Sequence, residues 1–225
     1  MERLDVLHGP SRFALREAAP PGPRIVRPVF VTFEGGDGSG KSTQAELLRA
    51  ALAAEGREVV LTREPGGTEL GEAVRALVLD GPDMVPLAEA ALFAASRAQH
   101  VEQVISPYLR RGAVVICDRY IDSSLAYQGI ARGLGLEEIL RLNLAVTHEL
   151  LPDVTFLLLI DPEVAASRWA EQDRLEREGL EFQRRVDAAY RSLARQFPER
   201  IVSVDGDRPP GVIRDEILER LRDRS

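Results

Sequence analysis

Cysteine, lysine and long apolar runs are scarce in this sequence, and each scarcity excludes a class of protein. Cys117 is the one cysteine among 225 residues, so no intrachain disulfide can form. Such low cysteine usage is typical of a reducing compartment. No run reaches the roughly 20 apolar residues needed to cross a bilayer. The opening MERLDVLHGP contains acids where a secretion signal is apolar, so we expect a cytoplasmic protein that has no membrane partner.

The overall charge argues against a general nucleic-acid-binding protein. The formal net charge is -7 and the sequence pI is about 5.2, whereas proteins that bind nucleic acids usually carry a basic field. A local basic cleft is still compatible with this charge. Because 44% of the residues are hydrophobic, the chain can bury the full core of an ordinary globular domain.

The shortage of lysine makes the single one informative. Lys41 is the only lysine among the 29 basic residues, and all the others are arginines. Lysine is a compact point charge on a flexible stem, whereas arginine is a planar fork, so the two are not interchangeable in a tight phosphate site. A lysine retained at this one position therefore indicates contact with phosphate.

The first segment of the chain differs from the rest. Residues 1–27 are rich in proline and arginine and have little apolar periodicity, so we predict a disordered extension. A role for this extension in partner binding is an alternative. We predict that residues 28–225 form one domain.

From residue 28 onwards, apolar runs alternate with segments of helical periodicity. We predict strands at 29–34, 58–62, 113–117, 154–160 and 200–204. We predict helices at 41–55, 69–80, 86–110, 135–150, 176–197 and 210–223. This alternation is typical of an α/β fold with a doubly wound, five-stranded parallel sheet and helices on both faces. In such sheets, ligands bind beyond the carboxyl ends of the strands.

A P-loop follows the first predicted strand and begins a helix. The segment GGDGSGKS at residues 35–42 matches the pattern G-x-x-x-x-G-K-[ST] in the strand-to-helix context that confirms it. Backbone N–H groups and the helix N-terminus then surround the phosphates of ATP. The predicted ATP-binding residues are Gly35, Gly36, Asp37, Gly38, Ser39, Gly40, Lys41, Ser42 and Thr43. No Asn-Lys-x-Asp element for guanine is present, which disfavours a switch GTPase.

Asp118 and Arg119 follow the third predicted strand. A carboxylate at that place can complete a Mg²⁺ site with the hydroxyl of Ser42. Arg119 offers a guanidinium fork for a second phosphate. The alternative is an ordinary surface pair after a strand.

Four motifs in register resemble the thymidylate kinase (dTMP kinase) family. They are FEGGDGSGKST, TREPGGT, LFAASRAQH and DRYIDSSLAYQG, and the resemblance extends from residue 28 to about residue 223. It implies a P-loop NTPase-type nucleoside monophosphate kinase, which transfers phosphate from ATP to dTMP and gives ADP and dTDP, although the lid of this sequence is shorter than the family leads us to expect. It also implies Mg²⁺ as cofactor and a homodimer.

The resemblance further implies roles for residues outside the P-loop. Arg63 and Glu64 line the monophosphate site, Phe93 stacks on thymine, and Arg97 bonds to the carbonyl edge of the base. Arg119 holds the phosphate of dTMP, while Asp37 contacts the sugar or metal side of that nucleotide. Ser124 and Gln128 complete the base site, and Tyr127 crowds the 2′ position of the sugar.

The lid is where this sequence departs from the family. The P-loop interior, Asp37-Gly38-Ser39, has no arginine, so the lid has to supply the basic residue that reaches the transferred phosphoryl group. Arg168 and Arg174 are the two possibilities, and the segment DRLE at 173–176 favours Arg174. Two alternatives stay open: a kinase for another nucleoside monophosphate or small acceptor, and a nucleotide-dependent binding or regulatory protein that has lost turnover because its lid is short.

Overall fold

A computed structural model describes residues 28–167 and 174–224, and a sheet of five parallel strands lies at its centre. The strands are β1 (Val29–Glu34), β2 (Val59–Arg63), β3 (Val114–Asp118), β4 (Val154–Leu159) and β5 (Ile201–Asp205). Their order across the sheet is β2-β3-β1-β4-β5, and all neighbouring pairs are parallel. β1 is therefore central, and its carboxyl end leads directly into the P-loop.

Helical segments connect the strands. They are α1 (Lys41–Ala54), α2 (Glu69–Asp80), α3 (Pro86–His100), α4 (Ser106–Arg110), α5 (Ile121–Ser124), α6 (Leu136–Thr147), α7 (Pro162–Ala166), α8 (Leu180–Gln196) and α9 (Pro210–Arg222). A π-helical turn at Val101–Ile105 joins α3 to α4, and a longer one at Leu125–Ala131 continues α5. A short 3₁₀ turn, Glu176–Glu178, precedes α8.

The sheet has an apolar layer on each face, because successive strand side chains point to opposite sides. On one face, Phe30 and Val115 pack with residues of α3, α6 and α8. On the other face, Val31 and Ile116 pack with residues of α1 and α9. Both faces are thus covered, which explains why the strands read as continuous apolar runs.

The structure confirms the predicted α/β fold and places the five strands within one residue of their predicted bounds. The continuous helical run over residues 86–110 is also found. The helical segment at residues 121–131 was not predicted, because YIDSSLAYQG has no helix-starting signal and turns into a π-helix. The extension at residues 1–27 and most of the lid lie outside the described residues. Within the described part, no helix is long and apolar enough to cross a membrane.

Candidate active site

The P-loop wraps around the end of β1 through backbone conformations that favour glycine. Gly35 has φ +136°, and a Cβ atom there would lie 2.4 Å from the carbonyl oxygen of Leu158. Gly40 has φ +89° and caps the first turn of α1. In this loop the Lys41 ammonium donates to the Gly36 carbonyl at 2.8 Å and lies 3.9 Å from Asp37 Oδ1. The Lys41 ammonium thus lies beside the backbone of the P-loop, whose N–H groups and helix N-terminus favour a bound phosphate.

A wide cleft, which we call the P-loop cleft, opens beside this loop and has a volume of about 1300 Å³. Residues 37–44, Asp118 and Arg208 are part of its lining. Gly35 and Gly36 lie behind it and line a smaller neighbouring cavity. The cleft is therefore bounded by the backbone N–H groups at the start of α1, where an anion is stabilised by the helix dipole.

Two oxygen ligands for a divalent cation meet in the P-loop cleft. The hydroxyl of Ser42 donates to Asp118 Oδ2 at 2.5 Å. Because β3 pairs with β1 in the sheet, Asp118 at the end of β3 lies close to the P-loop although the two are far apart in the sequence. A hydroxyl and a carboxylate oxygen side by side fit Mg²⁺, which prefers hard oxygen ligands and one or two carboxylates completed by phosphates and water.

A second cavity, the inner cavity, has a volume of about 560 Å³. Phe93 and Arg97 lie one helical turn apart on α3 and both line it. Ser124, Tyr127 and Gln128 line it from the helical segment after β3. One flat aromatic side chain, one guanidinium and several polar groups therefore face the same enclosed space.

The guanidinium of Arg97 is fully buried and fixed by side chains from several elements. Nε donates to Glu64 Oε2 at 2.7 Å, and Nη2 donates to the Tyr120 carbonyl at 2.9 Å. Nη1 bonds to Ser124 Oγ at 3.0 Å and also to Asn143 Oδ1. These contacts engage four of the five N–H donors of an arginine. One donor on Nη2 is left to bond with a ligand in the inner cavity.

Glu64 holds Arg97 in place and is itself held by a histidine. His100 Nδ1 lies 2.9 Å from Glu64 Oε1, and His100 Nε2 lies 2.7 Å from Thr62 Oγ1. Both carboxylate oxygens of Glu64 are therefore engaged. The Glu64 carboxylate fixes the guanidinium of Arg97. Direct contact with the phosphate of a nucleotide is unfavourable for Glu64, because both groups are negatively charged.

The two cavities share four lining residues, namely Asp37, Glu64, Arg75 and Arg119. Arg119 has a positive φ of 67°, a backbone conformation that is uncommon for a residue other than glycine. Its guanidinium bonds to Asp37 Oδ1 at 2.5 Å and to the hydroxyls of Ser123 and Tyr190, each at 3.1 Å. Arg119 therefore lies between the two cavities and lines both of them. We call this region the boundary.

Charges at this boundary perturb one another strongly. Burial alone raises the pKa of Asp37, but Arg119 and Lys41 outweigh it and hold the pKa at about 2. Burial lowers the pKa of Arg119, yet attraction to Asp37 raises it well above the ordinary value. Burial, and then repulsion from Arg119, lower the pKa of Lys41. At the boundary, the Asp37 carboxylate is therefore ionised at neutral pH and lies between the basic side chains of Arg119 and Lys41.

A buried glutamate lies below the boundary at the end of β1. Glu34 accepts hydrogen bonds from the backbone N–H groups of Tyr120 and Ser123 at 2.8 and 3.1 Å. It also accepts from the hydroxyls of Ser123 and Tyr190 at 2.6 and 2.7 Å. Burial, followed by repulsion from Asp122, raises the pKa of Glu34 to about 7. Glu34 thus supports the segment that carries Arg119.

Comparison with known proteins identifies the family to which this arrangement belongs. A sequence model of the thymidylate kinase family, described as "Thymidylate kinase", matches residues 33–217. The chain belongs to the thymidylate kinase family. It is accordingly a nucleoside monophosphate kinase, a transferase.

Individual members of the family are similar over most of their length. A thymidylate kinase of Exiguobacterium sp. is 47% identical over 201 residues, which cover 87% of this chain and 95% of that protein. One of Synechococcus sp. is 52% identical over 182 residues, covering 81% and 89%. The crystal structure of thymidylate kinase from Ehrlichia chaffeensis matches with a TM-score of 0.74 and 35% identity, covering 87% of this chain and 99% of that one.

Most residues expected from the thymidylate kinase resemblance come together in the two cavities, but Arg63 does not reach the inner cavity. It lines the P-loop cleft, and its guanidinium donates to both carboxylate oxygens of Glu72 at 3.0 and 2.9 Å. Arg63 is the last residue of β2 and is exposed, whereas Glu64, the first residue after the strand, is buried.

Arg174 lies apart from the P-loop. Its guanidinium is buried, with Nη2 donating to Glu89 Oε2 at 2.6 Å and Nε donating to the Val78 carbonyl at 2.8 Å. The backbone N–H of Arg174 also donates to the Leu79 carbonyl at 2.9 Å. A contact of Arg174 with the transferred phosphoryl group would require these bonds to break, so that role stays a prediction. Arg168 lies outside the described residues.

Two residues of the site were missed by the sequence reasoning. Arg75 of α2 lines both cavities, and its Nη1 donates to the Pro65 carbonyl at 3.1 Å. The sequence does contain a signal for Arg75, because this residue follows Val74 and so lies beside the buried face of the amphipathic helix α2. His100, which holds Glu64, belongs to the motif LFAASRAQH but was assigned no role.

Proposed function

We propose that this chain phosphorylates dTMP to dTDP with ATP by holding the two nucleotides in the inner cavity and the P-loop cleft, with their phosphates at Arg119. The observation that supports this most strongly is the shared lining of the two cavities by Asp37, Arg75 and Arg119. A kinase must bring two polyanions into contact, and a boundary with fixed cations offsets their repulsion.

The donor nucleotide occupies the P-loop cleft. The backbone N–H groups of residues 35–43 bond to its phosphates, and Lys41 approaches the β and γ phosphates. Ser42 and Asp118 hold Mg²⁺, which supplies charge neutralisation of the phosphate oxygens. The pairing of the two oxygen ligands at 2.5 Å supports this assignment.

The acceptor nucleotide occupies the inner cavity. The ring of Phe93 stacks on thymine, and Arg97 donates its remaining N–H to a carbonyl oxygen of the base. Ser124 and Gln128 complete the base site, and Tyr127 occupies the space that a 2′-hydroxyl would need. Arg119 and Arg75 hold the monophosphate, and Glu64 acts by fixing Arg97.

The transfer step needs no protein nucleophile. A phosphate oxygen of dTMP attacks the γ phosphorus of ATP, and the bond from that phosphorus to the bridging oxygen of ADP breaks. Arg119 and Arg75 orient the attacking oxygen, while Lys41 and the P-loop N–H groups stabilise the charge on the transferred and leaving groups. Arg174 or Arg168 of the lid supplies the basic contact with the transferred group, and Arg174 has to leave Glu89 to do so.

A coupled assay that compares dTMP, dUMP, dCMP, UMP and AMP as acceptors tests this proposal. We expect the highest kcat/KM for dTMP. Equal rates for all acceptors would mean that the inner cavity does not select thymine. Binding of ATP and dTMP without formation of dTDP would mean instead that turnover has been lost.

We further propose that the chain forms a homodimer in the cytoplasm. Four large apolar side chains are exposed around α2 and α3, namely Leu70, Leu77, Val85 and Leu87, with exposed fractions of 45, 48, 67 and 64%. Apolar side chains grouped in this way are typical of an interaction surface. Light scattering should give the mass of a dimer for the natural chain and of a monomer for Leu77→Glu, whereas Val212→Glu on α9, another exposed apolar position, should leave the dimer intact.

A further inference from the structure

A buried carboxylate behind the inner cavity connects a cavity side chain to the end of the lid. Glu89 of α3 is fully buried and is not part of the cavity lining. Its Oε1 accepts from Gln128 Nε2 at 2.8 Å. Its Oε2 accepts from Arg174 at 2.6 Å and from Arg132 at 3.1 Å. One carboxylate therefore contacts Gln128 of the base site, Arg174 at the end of the lid, and a second arginine, Arg132.

The charge of Glu89 is stabilised by these partners. Burial raises the pKa of a carboxyl group, but the hydrogen bonds from Gln128 and Arg174, with the charge of Arg132, lower the pKa of Glu89 below its usual value. Glu89 is consequently ionised at neutral pH. An ionised carboxylate has no proton to donate and can only accept hydrogen bonds.

This acceptor fixes the orientation of the Gln128 amide. Only the NH₂ group of Gln128 can face an ionised carboxylate, because its carbonyl oxygen would be repelled. The carbonyl oxygen is left on the side away from Glu89, and Gln128 lines the inner cavity. Within the described part of the chain, no residue donates a hydrogen bond to that oxygen. The cavity thus presents it as a ready acceptor.

We propose that Glu89 is a positioning residue for base selection, which holds the Gln128 amide so that its carbonyl oxygen faces the base. The ring nitrogen N3 of thymine and uracil carries a hydrogen and donates, whereas N3 of cytosine only accepts. A carbonyl oxygen at this place therefore favours thymine and uracil and disfavours cytosine. This inference rests on the proposed function, because it requires a pyrimidine in the inner cavity.

Glu89 also links base selection to the position of Arg174 at the end of the lid, because both Arg174 and Gln128 bond to its carboxylate. Arg174 reaches Glu89 only because its backbone and Nε bond to the carbonyls of Leu79 and Val78. Leu79 and Leu175, on either side of this contact, line the inner cavity. The end of the lid is thereby fixed against the wall of the base site.

The substitution Glu89→Gln tests the proposal while keeping the size of the side chain. The amide oxygen of the new glutamine is drawn to Arg174 and Arg132, since both are cations. Its NH₂ group then faces Gln128, and the Gln128 amide has to rotate and present its own NH₂ to the cavity. We expect the affinities for dTMP and dUMP to fall roughly 10- to 100-fold, the cost of a buried unpaired donor, and the affinity for dCMP to rise. Calorimetric titration of the three nucleotides measures this.

A second buried carboxylate provides the control. Asp122 bonds to Arg200 at 2.5 and 2.7 Å and lies outside the inner cavity lining. Asp122→Asn should lower the melting temperature without changing the ratio of dTMP to dCMP affinity. Arg132 also pairs with Glu178 at 2.7 Å, so Glu89→Gln takes the carboxylate partner away from Arg174. If this makes the variant unstable, the double variant Glu89→Gln/Arg174→Gln removes that arginine and should show the same change in ratio.

Equal losses of affinity for dTMP, dUMP and dCMP, or a lower melting temperature with an unchanged ratio, would overturn the proposal. Glu89→Asp, which keeps an acceptor-only group, should retain the preference for dTMP over dCMP. The natural chain is measured alongside. If the natural chain itself does not prefer dTMP, the proposed function fails. If the natural chain prefers dTMP and the variant ratio does not move, only the role of Glu89 fails.

Discussion

The P-loop cleft centres on one continuous segment, residues 37–44, whereas the inner cavity draws its lining from positions distributed between Asp37 and Leu175. The cleft depends largely on backbone N–H groups and glycine conformations. The inner cavity depends on side chains that other side chains hold, such as Arg97 held by Glu64 and Glu64 held by His100. Loss of one group should therefore act locally in the cleft and spread through the network in the cavity.

Replacement of Lys41 tests the cleft and should have the largest effect. Lys41→Ala removes the cation that faces the transferred phosphate, and we expect kcat to fall about 10²- to 10³-fold, as for the loss of one electrostatic stabiliser of a transition state. The KM for dTMP should change little. Lys41→Arg keeps the charge but has a planar fork, and recovery of full activity by it would contradict the argument from the single lysine.

Replacement of Arg119 tests the boundary and should affect both sides of the comparison. Arg119→Met removes one partner of Asp37 and the proposed phosphate contact, so we expect kcat/KM for dTMP to fall about 100-fold, as for the loss of one electrostatic stabiliser. The melting temperature should fall too. An unchanged KM for dTMP would show that the acceptor phosphate lies elsewhere.

Replacement of Phe93 tests the inner cavity alone. Phe93→Leu keeps an apolar side chain but removes the stacking surface, and aromatic contacts of this kind contribute about 0.5–1.5 kcal/mol. We expect the KM for dTMP to rise about tenfold or less while the KM for ATP stays the same. An equal rise in the KM values for dTMP and ATP would contradict the proposal that the two nucleotides bind in separate cavities.

The pKa of Glu34 predicts the smallest effect, a pH dependence of stability. A carboxyl group whose pKa is raised to about 7 in the folded protein stabilises the fold in its protonated form. This contribution is complete below the unfolded pKa and is lost as the pH rises through 7. The melting temperature of the natural chain should therefore fall by a few degrees between pH 5 and pH 8. Glu34→Gln, which stays neutral, should remove most of that fall.

The sequence allowed the cleft to be predicted in detail because its residues are consecutive. The P-loop pattern names its own positions, and Ser42 and Asp118 followed from strand ends. The predicted strand bounds agree with the structure to within one residue, because strands buried on both faces appear in the sequence as continuous apolar runs. Phe93 and Arg97 were predicted from the family resemblance and from their spacing on one helix.

Contacts between side chains of distant segments could not be predicted. Arg174 was assigned to the phosphate from its motif, whereas a buried carboxylate 85 positions away holds it in the structure. Nothing in the sequence around Glu89 distinguishes it from a solvent-exposed glutamate of an amphipathic helix. Arg63 and Glu64 are adjacent in one motif, yet Arg63 is exposed at the end of β2 and Glu64 is buried against Arg97 and His100.

The single lysine, almost wholly buried in the P-loop with a lowered pKa, has a practical consequence for chemical labelling. A reagent that acylates side-chain amines has one target in the entire chain. Because Lys41 is 6% exposed and donates to the Gly36 carbonyl, that target is shielded in comparison with an ordinary surface lysine. The extent of acylation at Lys41, read by mass spectrometry on the peptide that contains it, should fall when a nucleotide covers the P-loop.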